Sequence, residues 1–486
     1  MNKSVLKLFV LFFGYLLVSS GLFAQEDPSV DTIFRSVVLI RSEGFSTENK
    51  TQPWMKKNLS TGLGSGLVIS KNTILTNAHV VMDAKQIMVR TGASKKEYPA
   101  NVKFIGYDCD LALLEVTEPG FAENTGTLRF AEVYPGLGSD LLVLGYPNGQ
   151  ENLTVEKGSV LRLEKNRYSF SGLDFRNVIK INANILPGNS GGPAVQDGKV
   201  VGLVFQISKV GRDVAYLIPN DIIQHFLTDV IDGKYDGFPS LGFTFQSGAP
   251  ISLKQVLKIP SEESGVFLNR VYPNSTFSST LKEKDFLVSL DGLSITADGE
   301  LKQQGVPIPL IDYIESKQLG NKISFELYRS GKKYQAEATL QKNFSLDLYR
   351  EVSDNYHQEA GLVFQPVSRS FFNSEDGDLD SSLKYHYSYF IQDILYRYTN
   401  RDIVLSFIFE DPENAKYKKY KFKVLESLNG VVPKDLNDLK KIWKENAKGF
   451  IVLRFRGMDL PIVLNQESIT GINIRVKKRY GAGYEE

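Results

Sequence analysis

A serine framed by glycines restricts what this 486-residue chain can fold into more than any other feature. In Gly188-Asn189-Ser190-Gly191-Gly192-Pro193 the residues around the hydroxyl carry almost no side chain, so the backbone can turn where bulkier residues would clash. Such a turn exposes a hydroxyl and aims backbone N–H groups at one point in space. Two upstream segments complete the pattern. They are Thr76-Asn77-Ala78-His79-Val80-Val81 and Asp108-Cys109-Asp110-Leu111-Ala112.

A serine hydroxyl is a poor nucleophile at neutral pH. It needs a base in contact with it, and the base needs an orienting partner. In that reading His79 takes the proton from Ser190 and Asp110 fixes the tautomer of the imidazole and stabilises its cation. The N–H groups of Gly188 and Ser190, with Asn189 between them, form the oxyanion hole. Asp108 competes with Asp110 for the carboxylate role. Asp110 is preferred because it directly precedes the apolar run Leu111-Ala112-Leu113-Leu114, which puts it at the start of a strand. The chain order His, Asp, Ser is that of the chymotrypsin-type double β-barrel, not that of subtilisins or α/β-hydrolases.

The surrounding pattern agrees with a mainly β architecture. Short apolar runs broken by Gly, Asn and Asp fill the stretch from Ser36 to Pro219. They include Ser36–Arg41, Gly64–Ser70, Thr73–Val81, Leu111–Val116, Leu141–Tyr146, Val155–Leu163, Val178–Ile185 and Lys199–Gln206. A helix is expected over Ile222–Ile231, followed by a linker from Asp232-Gly233 to Pro239. Beyond it lies a faint internal repeat. Phe286-Leu287-Val288-Ser289-Leu290-Asp291-Gly292 resembles Val424-Leu425-Glu426-Ser427-Leu428-Asn429-Gly430, and each is followed by a helical segment and then a pair of strands. Two copies of one small αβ module result, the second with an insertion around Ser374–Tyr389. The expected divisions are a leader over 1–24, the barrels over 25–235, and modules over 238–342 and 343–486.

Length and composition limit the rest. A chain this long holds about three domains. A formal net charge of +1 provides no field for nucleic acid. Residues 1–24 read as an export signal, with Lys3 and Lys7 ahead of the apolar run Leu8 to Leu17 and Ala24 before the cut. Leu22 is large for its position at the cleavage site, and an uncleaved membrane anchor is the alternative. Export gives a periplasmic or secreted protein, or a tethered one if the leader stays. Cys109 is the one cysteine, so no internal disulfide forms. His225, His357 and His386 are scattered, and no metal site or other cofactor is expected. No phosphate-binding glycine loop appears, so no ATP motor is expected.

Together these segments resemble the HtrA/Deg family of serine endopeptidases, and the C-terminal half is most similar to its plant-type Deg members. The matching stretches are Gly64–Ser70, Ile74–Val81, Asp110–Leu114 and Pro187–Pro193, with Tyr216-Leu217-Ile218-Pro219 similar to the strand beside the specificity pocket. The resemblance implies a chymotrypsin-like double β-barrel followed by two PDZ-like modules. It implies endoproteolysis of unfolded or damaged exported polypeptides through an acyl-enzyme, and a homotrimer or larger assembly. Ser240-Leu241-Gly242-Phe243 is similar to a carboxylate-binding PDZ loop that captures peptide C-termini by strand addition. The second module fits peptide binding poorly, and a structural or oligomer-contact role is expected for it. Leu186 stands where the family usually has Asn, and Leu217 where it usually has Ala. Val214, Ala215 and Tyr216 point to an apolar pocket for a small aliphatic side chain. The alternative is a catalytically silent chaperone or peptide-binding scaffold on the same fold.

Overall fold

A computed structural model of the chain describes residues 28–46, 58–170, 174–207, 214–248, 250–273, 275–303, 306–341, 356–367, 381, 383–385, 402–445 and 449–481. The leader over 1–24 and most of the Ser374–Tyr389 insertion lie outside the described residues.

The first unit is a sheet of β1 (Val37–Ser46), β2 (Asn58–Ser70), β3 (Thr73–Thr76), β4 (Ala84–Thr91), β5 (Glu97–Pro99), β6 (Asn101–Gly106) and β7 (Leu111–Glu115). Its order is β5-β4-β1-β2-β3-β7-β6. The second unit closes fully. Strands β8 (Asp140–Gly145), β9 (Thr154–Arg167), β10 (Phe175–Asn182), β11 (Pro193–Gln196), β12 (Lys199–Ile207) and β13 (Val214–Pro219) form a barrel in the order β10-β13-β12-β11-β8-β9.

Alternation along the strands decides where the core lies. Val143, Ile179, Ile181, Val201, Ala215 and Leu217 fill the closed barrel. Side chains from the opposite faces of several of these strands, among them Leu144, Val178, Leu203, Tyr216 and Ile218, meet Val37, Leu39, Leu67 and Leu75 of the first sheet in a separate cluster. That cluster is the seam between the two units. Each fully buried aliphatic side chain there contributes about 1.5–3 kcal/mol.

The expected run Thr73–Val81 divides in two. The strand ends at Thr76, and Ala78–Val81 forms a helical turn. Asn77 is the cause: its side-chain amide donates to the carbonyl of Asp110 at 3.0 Å, which diverts the chain out of the sheet.

The third unit is a sheet of β14 (Phe243–Gln246), β15 (Val266–Val271), β16 (Phe286–Leu290), β20 (Lys322–Arg329) and β21 (Lys332–Thr339), with β17 (Leu293–Ser294) beside β16. Between them β18 (Glu300–Gln303) and β19 (Val306–Pro309) form a hairpin that leads into the helix Leu310–Glu315. The fourth unit has β22 (His357–Glu359), β23 (Leu362–Pro366) and β24 (Ile403–Ile408) in one sheet. Strands β25 (Leu425–Leu428), β26 (Phe450–Phe455) and β27 (Ile462–Asn465) form another.

The repeat seen in the sequence has a structural counterpart. Asp291-Gly292 and Asn429-Gly430 both take left-handed pairs, as two-residue hairpin turns require. The side-chain oxygen of Asp291 accepts the N–H of Ser324 at 2.8 Å, and that of Asn429 accepts the N–H of Val452 at 2.7 Å. Each turn thus pins its strand to the next one.

Candidate active site

His79 lies on the helical turn at the seam, its side chain 30% exposed while Ala78, Val80 and Val81 are buried. Asp110, immediately before β7, is held in the left-handed region with φ of 53°. Asp tolerates that conformation better than most residues. One carboxylate oxygen lies 2.7 Å from His79 Nδ1, and the other accepts the backbone N–H of His79 at 3.0 Å. The carboxylate therefore fixes both the ring and the chain that carries it. Burial alone lowers the imidazole pKa, but the charge of Asp110 and its hydrogen bond outweigh burial, and His79 titrates above its ordinary value.

Of the two competing carboxylates, Asp110 meets the histidine. Asp108 turns the other way, taking Arg176 Nη2 on its carboxylate at 3.2 Å and Arg176 Nε on its carbonyl at 3.0 Å. Cys109 between them is fully buried, and burial pushes its thiol pKa up.

The serine turn begins at Leu186-Pro187-Gly188-Asn189. The Asn189 N–H donates to the carbonyl of Leu186 at 3.1 Å, and Gly188 has φ of 99°. Proline second and a left-handed glycine third make a type II turn. The carbonyl of Pro187 accepts the Asn148 N–H at 2.6 Å, which fixes the direction of the peptide joining Pro187 to Gly188. Among the described residues, the N–H groups of Gly188 and Ser190 donate to no protein acceptor, whereas that of Asn189 is used within the turn.

The first sheet holds this turn from behind. Ser65 of β2 donates its hydroxyl to the Gly188 carbonyl at 2.7 Å and accepts the Tyr146 N–H at 2.9 Å, while its own N–H donates to the Ser190 carbonyl at 2.8 Å. A Cβ on Gly191 would fall 2.3 Å from Thr76 Oγ1 and 3.2 Å from Asn77 N. Only glycine allows the turn carrying Ser190 to lie directly against the segment leading to His79. The roles of Ser65 and Thr76 were not apparent in the sequence: both occur in the Gly64–Ser70 and Ile74–Val81 stretches, yet nothing in those stretches shows which carbonyls their hydroxyls reach.

Val214, Ala215 and Tyr216 alternate along β13. Ala215 points into the barrel core, Tyr216 into the seam, and Val214 is half-buried at the strand start. The strand bonded to the serine turn is β12. Its Val204 accepts the Gly191 N–H at 2.8 Å and donates to the Gly192 carbonyl at 2.9 Å. Position on a strand after the serine was the only sequence signal for Val204.

In the third unit, Ser240, Leu241, Gly242 and Phe243 lead into β14, which is an edge strand. Ser240 and Phe243 are buried, Leu241 is half-buried, and Gly242 has φ of 66°. That leaves an open sheet edge preceded by a turn, which is the geometry of strand addition. The fourth unit differs. Its corresponding strand, β23, pairs with β24 on one side and with β22 on the other, through a tight turn at Ala360-Gly361.

A family model described as a trypsin-like peptidase domain matches residues 64–203, and one described as a PDZ domain matches residues 349–483. The chain is 32% identical to Protease Do-like 2, chloroplastic, of Arabidopsis thaliana over 94% of its own length and 76% of that protein. It is 30% identical to Protease Do-like 4, mitochondrial, of the same plant, over 86% of the chain and 79% of the relative. An HtrA-type protease solved with a decapeptide shares the fold, with a TM-score of 0.50 at 21% identity over 63% of this chain and 94% of that one. The chain belongs to the Do-like branch of the HtrA/Deg serine proteases, and it is a serine endopeptidase.

Proposed function

We propose that Ser190 is the nucleophile, His79 its general base and Asp110 the carboxylate that orients and charges the histidine. The observation that carries this reading is the 2.7 Å contact between His79 and Asp110, together with the packing of the serine turn against Thr76-Asn77. Ser190 attacks the scissile carbonyl as His79 takes its proton. The oxyanion is met by the N–H groups of Gly188 and Ser190, flanked by Asn189, each donor worth about 2.7–4 kcal/mol. Proton return from His79 releases the amine, and water repeats the sequence on the acyl-enzyme.

The substrates are unfolded or damaged polypeptides cut without ATP, as the resemblance to the family implies; the sequence carries no phosphate-binding glycine loop. Val214, Ala215 and Tyr216 bear no charge, which favours small apolar side chains at the scissile position over basic ones. The open edge of β14, with Ser240 to Phe243 ahead of it, takes peptide C-termini. The fourth unit, its equivalent edge already paired, serves structure or assembly within a homotrimer or larger oligomer. We take 25–235 as the protease domain, 238–342 as the first PDZ domain and 343–486 as the second. The leader over 1–24, with the apolar run Leu8 to Leu17 behind Lys3 and Lys7, suits export into a periplasm or secretion. Relatives named chloroplastic and mitochondrial make an organelle the competing location, and fractionation of cells expressing the full chain separates the two.

Digestion of casein, with and without ATP, tests the activity. The wild-type chain is expected to degrade it equally in both, and Ser190→Ala to bind but not cut. Full activity in Ser190→Ala would refute the assignment of the nucleophile.

A further inference from the structure

Arg176 is a buried cation that the proposed chemistry does not use. It lies on β10, 4% exposed. An unpaired charge at such a site would be very costly, so its partners show what it is for. Three carboxylates surround it: Asp108 at 3.2 Å, Asp174 at 3.7 Å and Glu315 at 3.9 Å. The face of the Phe238 ring covers it, 3.7 Å from the guanidinium carbon.

These partners come from separate parts of the chain. Asp108 is two residues from Asp110. Phe238 belongs to the linker that follows the barrel, and its N–H also reaches Asp108 at 3.5 Å. Glu315 ends the helix of the first PDZ domain. The same helix is held on the barrel by Lys165, 3.6 Å from Glu315, and by the hydrogen bonds from His225 to the carbonyl of Lys317 and from Gln318 to the carbonyl of His225. Leu310 and Ile314 of the helix share one core with Phe243, which ends the proposed carboxylate loop.

Arginine suits this junction because its donors form a rigid fork. Nε and Nη2 are committed to Asp108, while Nη1 faces Glu315. Asp110 holds a left-handed backbone that must be enforced by its surroundings. Asp110 is bracketed by the Asp108 anchor on one side of Cys109 and by the Asn77 amide on its own carbonyl at 3.0 Å.

We infer that Arg176 is a positioning residue through which the docked helix Leu310–Glu315 of the first PDZ domain holds Asp108, and through it Asp110, in the geometry that orients His79. The inference rests on the roles proposed above for Ser190, His79 and Asp110. It makes the PDZ helix part of what orders the site, although that helix contributes no residue to the proposed triad.

The test uses the full chain as wild type, Glu315→Gln, Arg176→Lys and the double variant. Glu315→Gln keeps the side-chain shape and Arg176→Lys keeps the buried charge while removing the fork, and thermal unfolding checks that each variant is folded. Two quantities are read: kcat and KM on an unstructured protein substrate, and the rate at which a fluorophosphonate labels Ser190. Each single variant is expected to lose about fivefold in kcat and in labelling rate, with KM within about twofold of wild type. The double variant is expected to be no slower than Arg176→Lys alone, because both changes break one connection. Wild-type rates in Glu315→Gln, or losses that multiply in the double variant, would overturn the inference. If wild-type Ser190 itself resisted labelling, the proposed triad would fall and this inference with it.

Discussion

Asp110 grips His79 twice, taking its ring Nδ1 at 2.7 Å and its backbone N–H at 3.0 Å. A carboxylate that binds only the ring sets a tautomer. One that also binds the main chain sets where the ring begins as well as how it is turned.

Replacing Asp110 by Asn tests that grip. The amide can no longer stabilise an imidazolium, and it favours the wrong tautomer. A loss of about 10⁴-fold in kcat is expected, with KM little changed, by analogy with the same exchange in a trypsin-type triad. Steady-state kinetics on a chromogenic peptide measures it, and a loss under tenfold would argue against Asp110 as the orienting group.

The pH profile gives a second check. His79 works as a base only when neutral, and its pKa lies above the ordinary 6.5 because Asp110 outweighs the effect of burial. The acid limb of kcat/KM is therefore expected to have its midpoint above pH 6.5, and to move to lower pH in Asp110→Asn. A wild-type midpoint at or below 6.5 would contradict the pairing.

Ser65→Ala removes a hydroxyl that joins the Gly188 carbonyl to the Tyr146 N–H. Two buried backbone groups lose their partner, at a cost of about 1–3 kcal/mol in stability. Because Gly188 bears one of the proposed oxyanion donors, kcat is expected to fall as well. Denaturant unfolding and kinetics on the same preparation check both effects, and an unchanged kcat would detach Ser65 from the oxyanion turn.

Acid should loosen the contact between the helix Asn220–Asp229 and the third unit. Burial lowers the pKa of His225 to about 4. The carbonyl of Lys317 opposes that shift and Arg176 adds to it. With the folded value below the unfolded 6.5, stability is full above pH 6.5 and is lost as pH falls towards 4. At pH 5 the expected loss is about 2 kcal/mol from this residue, read as a shift in urea midpoint between pH 7 and pH 5. His225→Phe keeps the stack on Phe238 and should remove that part of the shift. An unchanged acid loss in the variant would place it elsewhere.

How much of this was legible in the sequence depends on the range of each interaction. The glycine turn, His79, the preference for Asp110 and the Asp291/Asn429 repeat are local patterns, because a left-handed residue or a tight turn restricts residue type where it stands. The end of β3 at Thr76 was not legible, since the diverting bond from Asn77 goes to Asp110, far along the chain. Arg176 gave no sign for the same reason: Asp108 and Glu315 become its neighbours only when the first sheet, the barrel and the third unit have assembled. The alternating directions of Ala215 and Tyr216 were implicit in the period of a strand, but their two destinations depend on the barrel closing. The paired edge of β23 follows from a register that the Ala360-Gly361 turn sets and its residue types alone do not announce.

The most direct measurement is peptide mapping by mass spectrometry after treating the folded full-length protein with diisopropyl fluorophosphate. A single adduct on Ser190 is expected in the wild type, and none at that residue in His79→Ala under the same conditions. An unmodified Ser190 in wild-type protein, or equal modification with and without His79, would contradict a serine activated by that histidine.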